Sequence, residues 1–314
     1  MHISVSLATL LLTNRIVDVG VKPLTAREFW SVKRSTGDVS ALAGLNVTEM
    51  SGRFGMPMEL AERIALLFDA SIAFTAAREQ LETSGIRVRS YLDDEYPARL
   101  SKTLGERSPI FLLIAGNPLL LDSTMRGIVG SRSVGTASME VAAVAARRAV
   151  KRGDVVTSGL ARGIDQTAMG AALEEDVGIV GLPTEGIRRI TQDPKLRQLV
   201  LGSQICLLSP YGPDAPFSVG NAMGRNKLIY GLAESTLVVT SDLETGGTWS
   251  GAVEALRGRF ADVDVWLGDG MGEGNEALVD KGARAIREYD DLWSDRPAPM
   301  TAEGSDAEQL ELEM

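Results

Sequence analysis

Seven short apolar runs, separated by segments long enough for helices, follow one another from residue 110 onwards. They span residues 110–115, 127–130, 155–158, 178–182, 205–209, 237–240 and 263–267. Strands that are apolar on both faces and alternate with helices are typical of a parallel sheet with helices packed on each side. The sequence therefore predicts an α/β fold with a mostly parallel sheet that is covered by helices on both faces.

A different pattern precedes these runs. Up to about residue 81, apolar residues recur at three- and four-residue spacings, and glycines at positions 37, 44, 52 and 55 separate the repeats. Such periodicity is typical of amphipathic helices. We therefore predict a small helical domain over residues 1–84 and an extended Rossmann-like domain over 85–294. A tail over 295–314 is acidic and rich in Pro, Ala and Ser, which predicts disorder.

Within the helical domain, Phe54-Gly55-Met56-Pro57 and the helix-like residues 59–64 are similar to a helix-hairpin-helix. The turn of such a motif presents backbone amides to a phosphate. Two ordinary packed helices with a glycine turn between them would have the same sequence pattern. Both interpretations stay open at this point.

A single histidine and a single cysteine restrict the chemistry of the chain. His2 lies beside the N-terminus, which excludes a histidine-based catalytic triad and a histidine metal site. Cys206 lies in the apolar run 205–209, where a small buried side chain is expected rather than a reactive thiol. These two residues exclude many enzyme classes and an internal disulfide, which fits a reducing cytoplasm. Our expectation is a cytoplasmic protein without catalytic residues, bound metal or cofactor.

Hydropathy and charge limit the partners of the chain. No apolar stretch reaches the roughly 20 residues that a membrane-spanning helix needs, and the run 3–12 lacks the basic flank of a signal peptide. We therefore expect neither export nor a membrane anchor. The net charge of −10 argues against indiscriminate binding of polyanions. Much of the acid lies in the tail, however, so a local basic groove is compatible with the overall charge.

The first candidate for phosphate binding is the segment 127–135, which joins a strand to a helix expected over 138–152. Glycines let a ligand approach the backbone, and a helix N-terminus offers free amides with a partial positive charge. Gly130, Ser131 and Arg132 would thus surround an anion, with a bidentate contact from the guanidinium. The segment lacks the GxGxxG pattern of a standard NAD site. A plain strand-to-helix turn is the alternative.

A similar segment, 156–165, ends the next strand and opens a second helix. Its candidate residues are Ser158, Gly159, Arg162 and Gly163. A position next to glycine argues against a packing role for Arg162, whereas Asp165 is explained by charge complementarity at the start of the helix. Because carboxyl ends of neighbouring parallel strands lie at one edge of a sheet, the two segments predict a single site.

Two further segments flank the strand 237–240. Their candidate residues are Arg225, Asn226 and Lys227 before the strand and Gly246, Gly247 and Thr248 after it. Cations and an amide suit contacts with phosphates and bases, and the second group supplies amides and a hydroxyl. A solvent-exposed helix face would explain Lys227 equally well. Arg188 and Arg189 follow another strand at the same edge and are weaker candidates.

Taken in order, GIVGSR, SGLARGID, GRNKLIYGLAESTLVV, TGGT and GEGNEALVDKGA resemble the successive motifs of the DprA/Smf family, DNA-processing protein A, over about residues 85–283. The resemblance implies a homodimer that binds single-stranded DNA in a basic pocket at the sheet edge and loads a RecA-type recombinase. Carried over by motif, the DNA contacts fall on Arg132, on 158–163 and on 225–227. We therefore predict a non-enzymatic protein that binds and protects single-stranded DNA.

Several positions depart from the family pattern. Ala168-Met169 replaces an Ala-His pair, Arg189-Ile190 a Tyr-Pro pair and Ser209-Pro210 a Ser-Glu pair. Because only a short acidic tail follows Trp293, we expect no counterpart of the family's C-terminal winged-helix domain. These departures indicate a divergent member of the family.

Two other functions are open from the sequence. The segments 225–227 and 246–248, with Glu254, are also similar to motifs of the LOG nucleotide phosphoribohydrolases, in which a Glu and an Arg carry N-glycosidic cleavage. That similarity predicts a nucleotide sensor or hydrolase. Alternatively, a divergent relative of DprA would act as a regulator or antitoxin of the protein encoded by a neighbouring gene.

The prediction of a homodimer concerns residues 263–286. They have the pattern of an apolar strand followed by a helix with the sequence GNEALVDKGARAI. Ala277, Leu278, Gly282 and Ala283 would form an apolar face of that helix, which packs either on a second copy or on the chain's own sheet. In a dimer, two pockets would bind one long strand with added avidity.

Overall fold

The computed structural model describes residues 3–294, so His2 and the predicted disordered tail lie outside this range. Within it, one sheet is formed by β1 (Ile86–Ser90), β2 (Phe111–Gly116), β3 (Met125–Gly130), β4 (Val155–Ser158), β5 (Ile179–Gly181), β6 (Ile205–Ser209), β7 (Ser235–Thr240), β8 (Asp262–Trp266) and β9 (Arg284–Ile286). The α-helices are α1 (Val5–Leu12), α2 (Ala26–Thr36), α3 (Val47–Phe54), α4 (Met58–Asp69), α5 (Ser71–Thr83), α6 (Ala98–Leu104), α7 (Thr136–Lys151), α8 (Ile164–Glu174), α9 (Ile187–Gln192), α10 (Pro194–Leu201), α11 (Val219–Leu232), α12 (Gly246–Gly258) and α13 (Asn275–Asp280). None of these helices has both the length and the apolar character required to cross a lipid bilayer.

The order of strands across the sheet is β1-β2-β6-β5-β4-β3-β7-β8-β9. β2 pairs antiparallel with β1 and with β6, and all the other neighbours pair parallel. From β3 the chain builds the sheet outwards through β4, β5 and β6, and then returns to add β7 on the other side of β3. The boundary between β3 and β7 is therefore a topological switch point, where open α/β sheets bind their ligands.

Alternate side chains of the central strands belong to two cores, one on each face of the sheet. In β2, Leu113 packs in the core that contains α7 and α8, whereas Leu112 packs in the core that contains α11 and α12. In β6, Cys206 is buried with a free thiol, as predicted. Because both faces of these strands are buried, their sequences are apolar throughout. The predicted α/β fold with helices on both faces is confirmed.

Helices α1 to α5 form a helical region where one was predicted, and two of them share a core with the sheet. Leu10 and Leu11 of α1 and Phe74 of α5 belong to the same buried cluster as residues of β2 and β4. Helices α2, α3 and α4 pack around a second cluster, to which Ala8 and Leu12 of α1 and Ile110 also belong. At the turn between α3 and α4, Gly55 has a φ of 62°. A nucleic-acid role for this turn stays a prediction.

All seven predicted strands are present, within two residues of their expected bounds. Two strands were missed. β1 alternates buried residues with Arg87 and Arg89, so it lacks the continuous apolar pattern of a central strand. β9 has three residues, too few for a periodic signal.

The helix predicted within residues 263–286 is wrong in its second half. α13 ends at Asp280, Gly282 has a φ of 103°, and the next residues form β9. Leu278 and Ala283 are 0% and 6% exposed and belong to the chain's own core. These residues therefore do not form an apolar face for a second copy of the chain.

Candidate nucleic-acid site

Three loops meet at the switch point, each following the carboxyl end of one of the adjacent strands β4, β3 and β7. They comprise residues 159–163, 131–135 and 241–245. Together with one side of α11, they line a cavity of about 540 Å³. Segments that are more than 100 residues apart in the sequence are thus brought to one edge of the sheet, as their positions after parallel strands predict.

Two glycines of the predicted site allow the first two loops to pack against each other. A Cβ at Gly163, which has a φ of 79°, would lie 2.6 Å from the carbonyl oxygen of Ser131 and 2.8 Å from that of Arg132. A Cβ at Gly130 would lie 2.5 Å from Ile164. These positions require glycine because the loops touch, and a close ligand is not needed to explain them.

Arg225 and Asp165 form a buried pair in the wall of the cavity. The side chain of Arg225, on α11, is 4% exposed, and its Nη1 lies 4.0 Å from Oδ2 of Asp165 on α8. Burial lowers the pKa of the guanidinium, and the neighbouring carboxylate opposes this effect. Burial likewise raises the pKa of Asp165, against the favourable charge of Arg225. The pair places one positive and one negative charge deep in the site.

Asp165 and Gly159 together position the loop after β4. The backbone amide of Gly159 donates to Oδ2 of Asp165 at 3.1 Å. A Cβ at Gly159 would collide with Nη1 of Arg225. Asp165 therefore orders this loop in addition to lying in the first turn of α8, and Gly159 leaves space for a guanidinium of the protein itself.

Three polar atoms in the wall of the cavity have no hydrogen-bond partner among residues 3–294. They are Nε and Nη1 of Arg225 and the hydroxyl of Tyr230. Tyr230 follows Arg225 by five residues on the same helix, α11. Tyr230 is 1% exposed, and burial together with the nearby charge of Asp165 raises its pKa far above the ordinary range. Its hydroxyl therefore stays protonated and can donate a hydrogen bond.

The N-termini of three helices at this edge lack a side-chain cap. The N-cap positions of α7, α8 and α12 are Gly135, Gly163 and Thr245, and none of them accepts a hydrogen bond from its helix through a side chain. In contrast, Ser218 caps the neighbouring α11. Amides without such a cap carry a partial positive charge and can bind an anion. In α8, however, the amides of Ile164 and Gln166 donate to the carbonyl oxygens of Ser131 and Ala161.

Asn226 connects α11 to the beginning of α12. Its Nδ2 donates to the carbonyl oxygen of Gly247 at 2.8 Å, and both residues line the cavity together with Gly246 and Thr248. The side-chain amide thus fixes the position of the uncapped α12 terminus. Four of the predicted site residues therefore lie together in the lining of the cavity.

The rim of the cavity is exposed, apolar and basic. Phe217, Val219 and Met223 are 47%, 69% and 48% exposed. Cζ of Arg132 lies 5.8 Å from the centre of the Phe217 ring. Sequence reasoning missed Phe217, because nothing in the segment 213–218 distinguishes an exposed aromatic residue from a buried one. Surface aromatic rings of this kind are suited to stacking with nucleobases.

Lys227 and Glu254 lie outside the cavity. Nζ of Lys227 is 3.8 Å from Oε1 of Glu254, and Glu254 lines a separate, more open cavity with Arg107 and Trp249. A phosphate contact from Lys227 at the switch point is therefore not supported by its position. The hydrolase alternative likewise lacks the carboxylate that its motif assigned to Glu254.

The two remaining predicted residues are placed differently from one another. Ser158 is fully buried, and its Oγ donates to the carbonyl oxygen of Ile128 at 2.5 Å, which ties β4 to β3. Arg162 is exposed in the loop after β4, next to the cavity residue Ala161. Ser158 thus has a structural role, whereas Arg162 is accessible to a ligand.

Comparison with known proteins adds three findings. A family model described as DNA recombination-mediator protein A matches residues 87–297. The DNA processing protein DprA of Streptococcus pneumoniae is 30% identical over 212 residues, which cover 66% of this chain and 73% of that protein. Its X-ray structure superposes with a TM-score of 0.62 at 23% identity, covering 86% of this chain and 97% of the other.

A second solved structure has a related fold. It is that of DNA processing protein A from Helicobacter pylori, and its description refers to the single-stranded DNA binding mode of that protein. The TM-score is 0.53 at 22% identity, and the match covers 65% of this chain and 92% of the other. At this level of identity the likeness concerns the fold.

Proposed function

Because this chain belongs to the family of DNA recombination-mediator protein A, we propose that it binds single-stranded DNA at the cavity between β3 and β7. The family match confirms the resemblance carried by the five sequence motifs. One observation carries the proposal for this site: the uncapped N-terminus of α12 and the exposed residue Arg132 line the same cavity at the switch point. The single-stranded DNA binding described for the Helicobacter pylori protein supports it.

In this proposal, phosphates lie along the rim of the cavity. Arg132 and Arg162 are exposed on neighbouring loops and supply the side-chain cations. The amides of Gly247 and Thr248 in the first turn of α12 supply uncharged donors at the same edge. Phosphate contacts of this kind bind without regard to sequence and weaken as salt rises. The net charge of −10 leaves this local arrangement as the source of affinity.

The wider role follows from the family. We propose that the bound strand is protected and passed to a RecA-type recombinase in the cytoplasm, without a catalytic step by this chain. A homodimer remains part of the proposal, but its interface must use a surface other than the buried residues around Leu278. Protection of the strand and its transfer to the recombinase are tested with the recombinase present, separately from DNA binding at the cavity.

Fluorescence anisotropy with a labelled oligothymidine tests the binding site. Removing one charged hydrogen-bond donor costs about 1.5–3 kcal/mol, so Arg132→Ala should raise Kd by roughly tenfold or more. The variant should also reduce the slope of log K against log salt by about 0.7, the value for one phosphate contact to a single strand.

Arg148→Ala is the matched control. Arg148 lies near the other end of α7, about 18 Å from its first turn, and pairs with Asp290. The Arg148→Ala variant should therefore bind the oligothymidine with the same Kd as the unchanged protein. If the Arg132→Ala, Arg162→Ala and Arg148→Ala variants bound DNA with equal affinity, DNA would not bind at this cavity.

A further inference from the structure

The rim of the cavity presents an apolar and basic surface that residues 3–294 leave uncovered. Phe217, Val219 and Met223 all line the cavity, and all three are exposed. Arg132 and Arg162 are exposed on loops that line the same cavity. Neither arginine forms an ion pair with a carboxylate of the described residues. Apolar groups that are exposed together and bordered by charge mark a surface that binds a partner.

The end of the sequence has a composition that complements this rim. Residues 303–314 contain five acidic residues and no basic one. Their final run, LELEM, alternates apolar with acidic side chains and includes Leu310 and Leu312. The same short run thus supplies apolar groups for the exposed apolar residues of the rim and carboxylates for its guanidiniums. Hydrogen bonds between arginine and carboxylate are among the strong polar contacts of proteins.

The length of the tail is sufficient for this contact, although the tail begins at the opposite edge of the sheet. Nη1 of Arg284, at the amino end of β9, donates to the hydroxyl of Ser294 at 3.0 Å. The carboxyl end of β3 is one strand length and the spacings of β8, β7 and β3 away, about 20 Å and 15 Å. Residues 295–309 span up to about 50 Å when extended, so the run 310–314 can reach the rim of its own molecule.

We propose that residues 310–314 dock on the rim of the cavity, with their leucines against Phe217 and Met223 and their carboxylates beside Arg132 and Arg162. The proposal rests on single-stranded DNA binding at the rim and adds a regulator of that binding. A DNA strand and the acidic tail need the same two cations, so the strand binds only after it displaces the tail. The tail therefore lowers the affinity of the protein for DNA.

The covalent connection makes even weak docking effective. A short tether gives an effective concentration on the order of 1 mM. Docking with a Kd of about 0.1 mM would then weaken DNA binding roughly tenfold. Exposed ion pairs contribute at most about 1 kcal/mol each, so the apolar contacts of Leu310 and Leu312 have to supply much of this docking.

Replacing Leu310 and Leu312 by serine in the full chain tests this docking. The double variant Leu310→Ser, Leu312→Ser keeps every charge, so general repulsion between the tail and DNA stays the same. Because the rim is released, the Kd for labelled oligothymidine at low salt should fall about three- to tenfold. The matched control is Ala298→Ser with Met300→Ser, which changes two apolar residues of the tail outside the run 310–314. The control should bind oligothymidine with the Kd of the unchanged protein.

A synthetic peptide of residues 303–314 shows where the tail binds. Added to the double serine variant, it should displace oligothymidine, and Arg132→Ala in that variant should weaken binding of the labelled peptide. Peptide binding that Arg132→Ala leaves unchanged would place the tail elsewhere and overturn the proposal. An unchanged Kd of the double serine variant, together with salt-sensitive DNA binding, would overturn tail docking and leave the proposed function intact. Failure of every protein to bind oligothymidine, whatever its tail, would overturn both.

Discussion

Gly159 occupies a position where the protein leaves no room for a side chain. A Cβ there would collide with the guanidinium of Arg225, which is buried beside Asp165 of α8. We expect Gly159→Ala to destabilise the fold by about 1–3 kcal/mol, the usual cost of overpacking a buried site. The measurement is urea unfolding followed by circular dichroism.

Gly170→Ala is the control for a glycine substitution in the same region. Gly170 lies inside α8, and an added Cβ would meet nothing within 4 Å. Alanine is the better helix former, so stability should rise by up to about 1 kcal/mol. If both variants unfolded at the same urea concentration, the close packing of Arg225 beneath Gly159 would be refuted.

These glycines show what sequence can and cannot predict about single residues. The motif around 158–163 indicates that a side chain is not tolerated at Gly159 and Gly163. It does not indicate whether the close neighbour is a ligand or the protein, because that neighbour comes from α11 or from the loop after β3. In both cases the structure places protein atoms there.

At the scale of single elements, β6 carries the one cysteine of the chain in the interior of the sheet. Cys206 pairs with residues of both β2 and β5 and is 0% exposed. Burial raises the pKa of its thiol to about 12, so almost no thiolate is present at pH 8 in the folded protein. In an unfolded chain, with a pKa of about 8.5, roughly a quarter is thiolate at that pH.

Iodoacetamide should therefore modify Cys206 only through unfolding. The modification, followed by mass spectrometry at pH 8, is expected to be very slow in buffer and fast in concentrated urea. Its rate at intermediate urea concentrations should follow the unfolded fraction. Rapid modification of the folded protein would show that β6 is accessible, contrary to its position between two strands.

The elements that sequence predicts well are those whose burial is uniform. β4 and β6 have the expected bounds because every residue in them is buried. The end of α13 was mistaken because Ala283 and Ile286 continue a helical spacing, although they belong to β9 and the turn before it. Only pairing with β8 distinguishes a strand at this position from a continued helix, and periodicity carries no information on strand pairing.

Across the whole molecule, the location of the candidate site could be predicted better than the residues that line it. Three motifs placed at the carboxyl ends of parallel strands had to meet at one edge, and the fourth reaches it from α11. Tyr230 and Asp165 could not be assigned, because their role depends on which side of a helix faces the cavity. Lys227 is two residues from Arg225, and that difference of about 200° around α11 places the two cations on different sides.

The relation between the helical region and the sheet gives the last prediction. Leu11 of α1 is 0% exposed in the core that also contains Leu113 of β2. Leu11→Ala should therefore cost about 2–5 kcal/mol and lower the protection from hydrogen exchange equally in peptides from α4 and from β4. Ile72→Ala, at an 83% exposed position of α5, should change neither. Loss of protection in α4 alone would mean that the helical region unfolds separately, as an independent domain would. Loss in both would mean that the shared core makes the molecule one cooperative unit, so that a change in α1 also reaches the loops around the cavity.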